Sequence, residues 1–230
     1  MRAWRRLGSR RGRAADRHIL FHELLDCLKG TECPVCRLVR QRMQSRMAAL
    51  FRELVNDPPT RARLRAALGF CPRHTREALR QGDALGLSIL YADLMAELLA
   101  RLHNAAPASA ASRRPACPEC GAEQADTAEI AEAFAAYLAE PEMQDASRGN
   151  LRLCGVHLLT VMQAATPEAR TFILGQVEPA LQSLLKDLSE FIRKSDARFR
   201  HEGFGAEGDA YLRAARYLTG TSDEDRHSDG

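Results

Sequence analysis

Aromatic residues make up only 6% of this 230-residue chain, and the one tryptophan, Trp4, lies in a basic N-terminal segment. A core must therefore be built mainly from Leu, Ala, Val and Met. Lysine is nearly absent, three residues among 33 basic ones, so Arg carries almost all the positive charge. No apolar run reaches the roughly 18 residues that a membrane span requires. The most apolar stretch, Leu85 to Ala100, is interrupted by Asp93 and Glu97 and reads as a core helix. No stretch alternates apolar and polar residues with β-branched enrichment, which argues against strands. No glycine loop of phosphate-cradling form is present, and no Ser/His/Asp set is supported by spacing, so no catalytic residue is assigned and an enzyme is disfavoured.

The net charge of +3 is unevenly placed. Residues 1–17 hold seven Arg and one Asp, leaving the remaining 213 residues at −3. A nucleic-acid binder carries its basic patch on the folded body, so nucleic acid is an unfavoured partner. The Arg10-Arg11 pair is followed by no apolar stretch, as an export signal would need. Residues 1–17 are read as a disordered extension, and the expected compartment is the cytoplasm.

What the sequence does have is cysteine, seven in all, an unusual number for a reducing compartment unless the thiols are used. Six of them join two of the seven histidines in two copies of one pattern. Cys33-Pro34-Val35-Cys36 is followed at a distance by Cys71-Pro72-Arg73-His74. Cys117-Pro118-Glu119-Cys120 is followed by Cys154-Gly155-Val156-His157. The copies are offset by 84 residues at the first motif and 83 at the second, and other landmarks keep the 83: Asp57-Pro58 matches Glu140-Pro141, and Ile89-Leu90 matches Phe172-Ile173. These matches point to an internal duplication.

The expected fold is all-α, with two pseudo-equivalent halves, each a metal-clamped helical hairpin plus a long core helix. The segments are residues 18–104 and 117–195 for the halves and 105–116 for a small-residue linker. A helical extension occupies 196–220, and 221–230 form a polar, disordered tail. Helices are expected over 38–55, 60–68, 72–82, 83–103, 123–139, 158–164, 166–194 and 210–218. In the helix over 83–103 only Asp93, Glu97 and Arg101 form a polar stripe, so the other faces are expected to be buried.

A Cys-x-x-Cys turn joined by a distant Cys-x-x-His supplies the four ligands of a closed tetrahedral Zn²⁺ site. The direct reading places Cys33, Cys36, Cys71 and His74 in one site and Cys117, Cys120, Cys154 and His157 in the other, with two Zn²⁺ per chain. Two pseudo-equivalent halves also allow exchange, with Cys33 and Cys36 meeting Cys154 and His157. An Fe–S cluster takes similar ligands, and a Cys-Pro-x-Cys pair also suits a redox dithiol. Neither explains two paired sets in register as well as structural zinc does. Cys27 is left over and reads as a buried, inert thiol. His18 and His22 read as surface residues, although either could replace a ligand.

The motifs resemble those of an uncharacterised bacterial family, domain-of-unknown-function family 6062. The stretches that carry the resemblance are Glu32 to Cys36, Gly69-Phe70-Cys71-Pro72-Arg73-His74, Leu85 to Leu90, and Glu190 to Arg200. They span about residues 20–220. The chain departs from the pattern at Ala197 and at Leu153, neither a ligand. The resemblance implies a duplicated Cys/His helical protein and no particular activity. The function expected from the sequence is a zinc-stabilised helical binding or scaffold protein with an unknown protein partner and no membrane association. A thiol or Fe–S redox protein is the alternative, and a DNA-associated regulator ranks third.

Overall fold

The computed structural model describes residues 9–103 and 116–220, with side chains from Ile19 onward in the first stretch. Among the described residues there are ten α-helices and no strand, so the protein is all-α. The helices are α1 (Ser9–Leu28), α2 (Pro34–Ala49), α3 (Pro58–Ala67), α4 (Pro72–Arg80) and α5 (Ala84–His103). They continue as α6 (Pro118–Tyr137), α7 (Pro141–Ser147), α8 (Gly155–Ala164), α9 (Pro167–Ser195) and α10 (Ala210–Thr219). A π-helical turn, Leu50–Leu54, extends α2, and two 3₁₀ turns, Ala197–Glu202 and Ala206–Asp209, lead into α10. The expected linker 105–116 and the tail 221–230 fall almost wholly outside the described residues. Helix α1 spans Ser9–Leu28, and residues 1–8 of the expected N-terminal extension lie outside the described residues.

Proline sets most helix starts. It has no N–H to satisfy and its φ is already helical, so it suits the first helical position. Pro58 and Pro167 follow Asp57 and Thr166, whose side chains accept from Thr60 N and Ala169 N. Pro34, Pro72 and Pro118 each follow a cysteine. Helices α2 and α6 thus begin inside their Cys-Pro-x-Cys motifs, four or five residues earlier than the apolar periodicity indicated.

The chain divides into two compact units. One takes the chain up to Leu38 and again from Thr127; the other is Val39–Asp126, and both boundaries fall inside helices, α2 and α6. The second unit is built on Met43, Met47, Val55, Leu64, Phe70, Ala78, Leu90 and Leu94, with Cys117 in the same cluster. In the first unit Leu24, Ile130, Phe134, Leu138, Met143, Leu153, Val161 and Ile173 are fully buried. Phe21 meets Tyr137 edge to face at 5.1 Å, and α10 packs on α8 and α9.

Helix α5 corrects an expectation. Its polar stripe faces inward onto α3: Asp93 accepts from Arg61 at 3.0 Å and Arg65 at 2.7 Å. Arg101 donates to the last carbonyls of α3, Arg65 O and Ala66 O, at 2.8 and 3.3 Å, which suits a cation at a helix C-terminus. Leu85, Met95, Leu99 and Leu102 are left exposed, while Gly86, Leu90 and Leu94 are buried.

Candidate metal centres

All eight residues singled out by spacing are brought together, in two groups of four. The direct pairing within halves is overturned. One group is Cys33, Cys36, Cys154 and His157; the other is Cys71, His74, Cys117 and Cys120. Each Cys-Pro-x-Cys meets the Cys-x-x-His of the other half, the exchanged arrangement. The reason lies in residues 58–80. Helix α2 and its π turn carry the chain roughly 30 Å from Cys36 at about 1.5 Å per residue. The Arg61–Asp93 and Arg65–Asp93 ion pairs then hold α3 on α5, so Cys71 stays within the second unit.

Both groups follow one plan, the meeting of two helix N-termini. Cys71 and Cys154 are the N-caps of α4 and α8. Their carbonyls accept from Thr75 N at 2.8 Å and Leu158 N at 2.7 Å. Cys33 and Cys117 stand in the same relation to α2 and α6, accepting from Arg37 N at 3.0 Å and Gly121 N at 3.4 Å. The second ligand of each pair is three residues on, in the first turn. Free N–H groups and the positive end of the helix dipole there favour thiolate.

In the first group the Nδ1 of His157 lies 3.6, 3.1 and 3.3 Å from the Sγ atoms of Cys33, Cys36 and Cys154. In the second, the Nδ1 of His74 lies 3.2, 3.5 and 3.6 Å from those of Cys71, Cys117 and Cys120. The Cys36–Cys154 and Cys71–Cys120 sulfurs are each 3.7 Å apart. A disulfide needs about 2.05 Å, and all seven cysteines are free. A tetrahedral ion bound at about 2.3 Å by sulfur would set its sulfurs about 3.8 Å apart. Both groups can hold such an ion.

Protonation is shared unequally within each group. Hydrogen bonds from Cys33 and Cys36 hold the Cys154 thiol well below its ordinary value, while hydrogen bonds with Cys154 and then Cys33, together with burial, push Cys36 up. Burial works against the Cys71 thiolate, but the backbone N–H of His74 and hydrogen bonds from Cys120 and Cys117 outweigh it. Burial, followed by Cys71, pushes Cys120 up to about 12. The histidines differ too. Burial, with Arg73 and Arg46 nearby, lowers His74 to about 4. Burial also opposes charge on His157, but Cys154 and Cys33 raise it to about 9.

The second group has an outer layer that sequence reasoning did not find. His74 is wholly buried, and its Nε2 lies 3.1 Å from Glu123 Oε2. Arg73 also pairs with Glu123, and Arg46 donates to Glu119 at 3.0 Å and to Asp126 at 2.5 Å. The signal available in the sequence was Glu123 three residues beyond Cys120, on the same helical face. Cys27, buried in α1, joins neither group, and burial pushes its thiol up. His22 is exposed and joins neither group; the side chain of His18 lies outside the described residues.

The model of a family of unknown function, DUF6062, matches residues 22–140, more than half of the chain. The chain belongs to that family. The DUF6062 match takes in six of the eight ligand residues and ends before Cys154 and His157, short of the stretch over which the motifs resemble the family. No curated protein and no solved structure matches the chain. Among the described residues, no helix of this DUF6062 protein is long and apolar enough to cross a membrane.

Proposed function

We propose that this DUF6062 protein is a zinc-stabilised helical binding or scaffold protein of the cytoplasm, descended from a duplicated half, with two structural Cys₃His sites. The observation that carries this reading is the convergence of four ligand atoms within 4.8 Å, twice, each time at the joint of two helix N-termini. Each set is complete without water, which suits a structural rather than a hydrolytic ion. Three thiolates and a neutral imidazole leave a Zn²⁺ complex at −1, matched to the N–H groups of the helix starts. The ion replaces the protons the thiols share and fixes α2 to α8 and α4 to α6. Structural zinc binds small peptides with about 10–16 kcal/mol, as much as the whole net stability of a domain, about 5–15 kcal/mol.

Supporting a binding role is the exposed apolar stripe of α5, Leu85, Met95, Leu99 and Leu102, of a kind that marks interaction surfaces. Elemental analysis of protein purified without added metal tests the reading. Two zinc per chain, with loss of helical circular dichroism on chelation, are expected. Iron with acid-labile sulfide would replace zinc with a cluster. Metal-free protein that stays fully folded would remove the structural role.

A further inference from the structure

The two metal sites have unlike surroundings, and the difference comes from the end of α10. That helix closes at Gly220, whose φ of +73° is left-handed and whose N–H donates to Arg216 O at 2.8 Å. A Cβ placed on Gly220 would lie 2.9 Å from the Sγ of Cys36 and 3.0 Å from that of Cys154. The main chain itself is therefore laid on two of the thiols. One turn of chain away, Leu218 rests on Gly155, the first residue of α8. A Cβ there would lie 3.3 Å from both the Cα and the Cδ2 of Leu218. Two glycines thus admit α10 to the site, one on each side of the contact.

Tyr217 adds a third element. Its hydroxyl oxygen is buried with no hydrogen-bond partner. Burial, and then the charge of Cys154 and Cys33, pushes that hydroxyl up. The hydroxyl makes no bond to sulfur here, so its O–H is a donor left over for metal-bound thiolate, and donors around metal-bound sulfur are part of how a site retains its ion.

At the other site the residue in the place of Gly155 is Pro72, which carries a ring where Gly155 has no side chain. The flank beyond His74 is made of charged side chains, with Arg73 more than half exposed. Ligand exposure alone does not separate the sites, since Cys71 and Cys120 are partly exposed here and Cys36 and His157 are partly exposed in the first; what separates them is the main chain of α10 laid on the first.

We propose that the end of α10 is a fitted cover for the Cys33–Cys36–Cys154–His157 site, so that this site retains a thiolate-preferring divalent ion such as Zn²⁺ while the Cys71–His74–Cys117–Cys120 site exchanges it. The proposal rests on the metal-binding reading and adds an inequality between the sites. Release from the first site requires local opening of Tyr217 to Gly220, whereas release from the second requires only penetration past side chains.

The test is release of Zn²⁺ from the full-length, zinc-loaded protein to an excess of the chromogenic chelator 4-(2-pyridylazo)resorcinol. Two phases of one equivalent each are expected, separated by about tenfold or more, as a local opening step imposes. Cys120→Ser removes the fast phase and Cys36→Ser the slow one. Gly155→Pro, which copies the Cys-Pro-x-His of the first half and still permits a helix start, is expected to bring the slow phase to the fast rate without changing the two-zinc content. Should that variant fail to fold, Tyr217→Phe and Gly220→Ala decide, each expected to speed the slow phase by about threefold or more. A chain that takes up no metal would sink the metal-binding reading itself. Two equivalents released at one rate, or a slow phase unmoved in every folded variant, would overturn the cover while leaving that reading intact.

Discussion

The Oε2 atom of Glu123 lies 3.1 Å from the Nε2 of His74, on the side of the ring away from the thiols. Arg73 Nη2 lies at the same 3.1 Å from that nitrogen and pairs with the same carboxylate; with Nε2 protonated, Glu123 is the proton's acceptor and Nδ1 is left as the lone pair for an ion. Glu123→Ala should therefore weaken zinc binding at the second site by roughly 10–100-fold, with the first site unchanged. Competition with a chelator of known affinity checks this. Equal weakening at both sites would show a general loss of fold instead.

Stoichiometry checks the exchanged pairing directly. The double variant Cys33→Ser/Cys154→Ser damages one site and should keep one zinc per chain. Cys33→Ser/Cys71→Ser damages both and should keep none. Pairing within halves predicts the reverse, so elemental analysis of the two proteins separates the arrangements.

Helix α5 predicts an inversion of the usual mutational pattern. Asp93 accepts from Arg61 and Arg65 with its side chain 18% exposed, and Asp93→Ala leaves both cations without it. A loss of about 1–2 kcal/mol in urea unfolding is expected. Met95 and Leu99 are 56% and 55% exposed, so Leu99→Ser should change stability by no more than about 0.5 kcal/mol. A large loss at Leu99 would mean that this face is covered in solution.

Glu207 gives a pH dependence. Gly205 N donates to its carboxylate at 2.9 Å and Lys194 Nζ lies at 2.7 Å, which together lower its pKa from 4.5 to about 2. A depressed carboxylate contributes stability above its unfolded value and loses it as pH falls through the folded one. The deficit of Glu207→Gln relative to the parent should be full at pH 6 and shrink between pH 4.5 and about 2. A deficit that stays constant over that range would show the ion pair to be without weight.

The ligands were legible because soft residues at i, i+3 in register twice have few other uses. Their partners were not, because both pairings satisfy the same spacings. One contact that goes with the observed pairing is that of Asp93 with Arg61 and Arg65, which holds α3 on α5, and no spacing announces it. The same is true of α5, where a three-residue polar stripe reveals amphipathicity but not which side the rest of the chain will meet. Helix starts at Pro34 and Pro118 were hidden because apolar periodicity begins only a turn later. Once the helices start there, Cys36, Cys120 and Glu123 all fall on their first two turns.

With an ion bound at each group, the exchanged pairing makes the two crosslinks nested along the chain. Residues 71–74 and 117–120 close inside the span between residues 33–36 and 154–157. During synthesis the inner loop, 43 residues from His74 to Cys117, has all its ligands once Cys120 has emerged. The outer one waits for His157. Closing the inner loop first shortens the outer one from 118 residues between Cys36 and Cys154 to about 70, which lowers its closure cost by about 0.5 kcal/mol. The order of emergence from the ribosome and the order of least entropic cost therefore coincide.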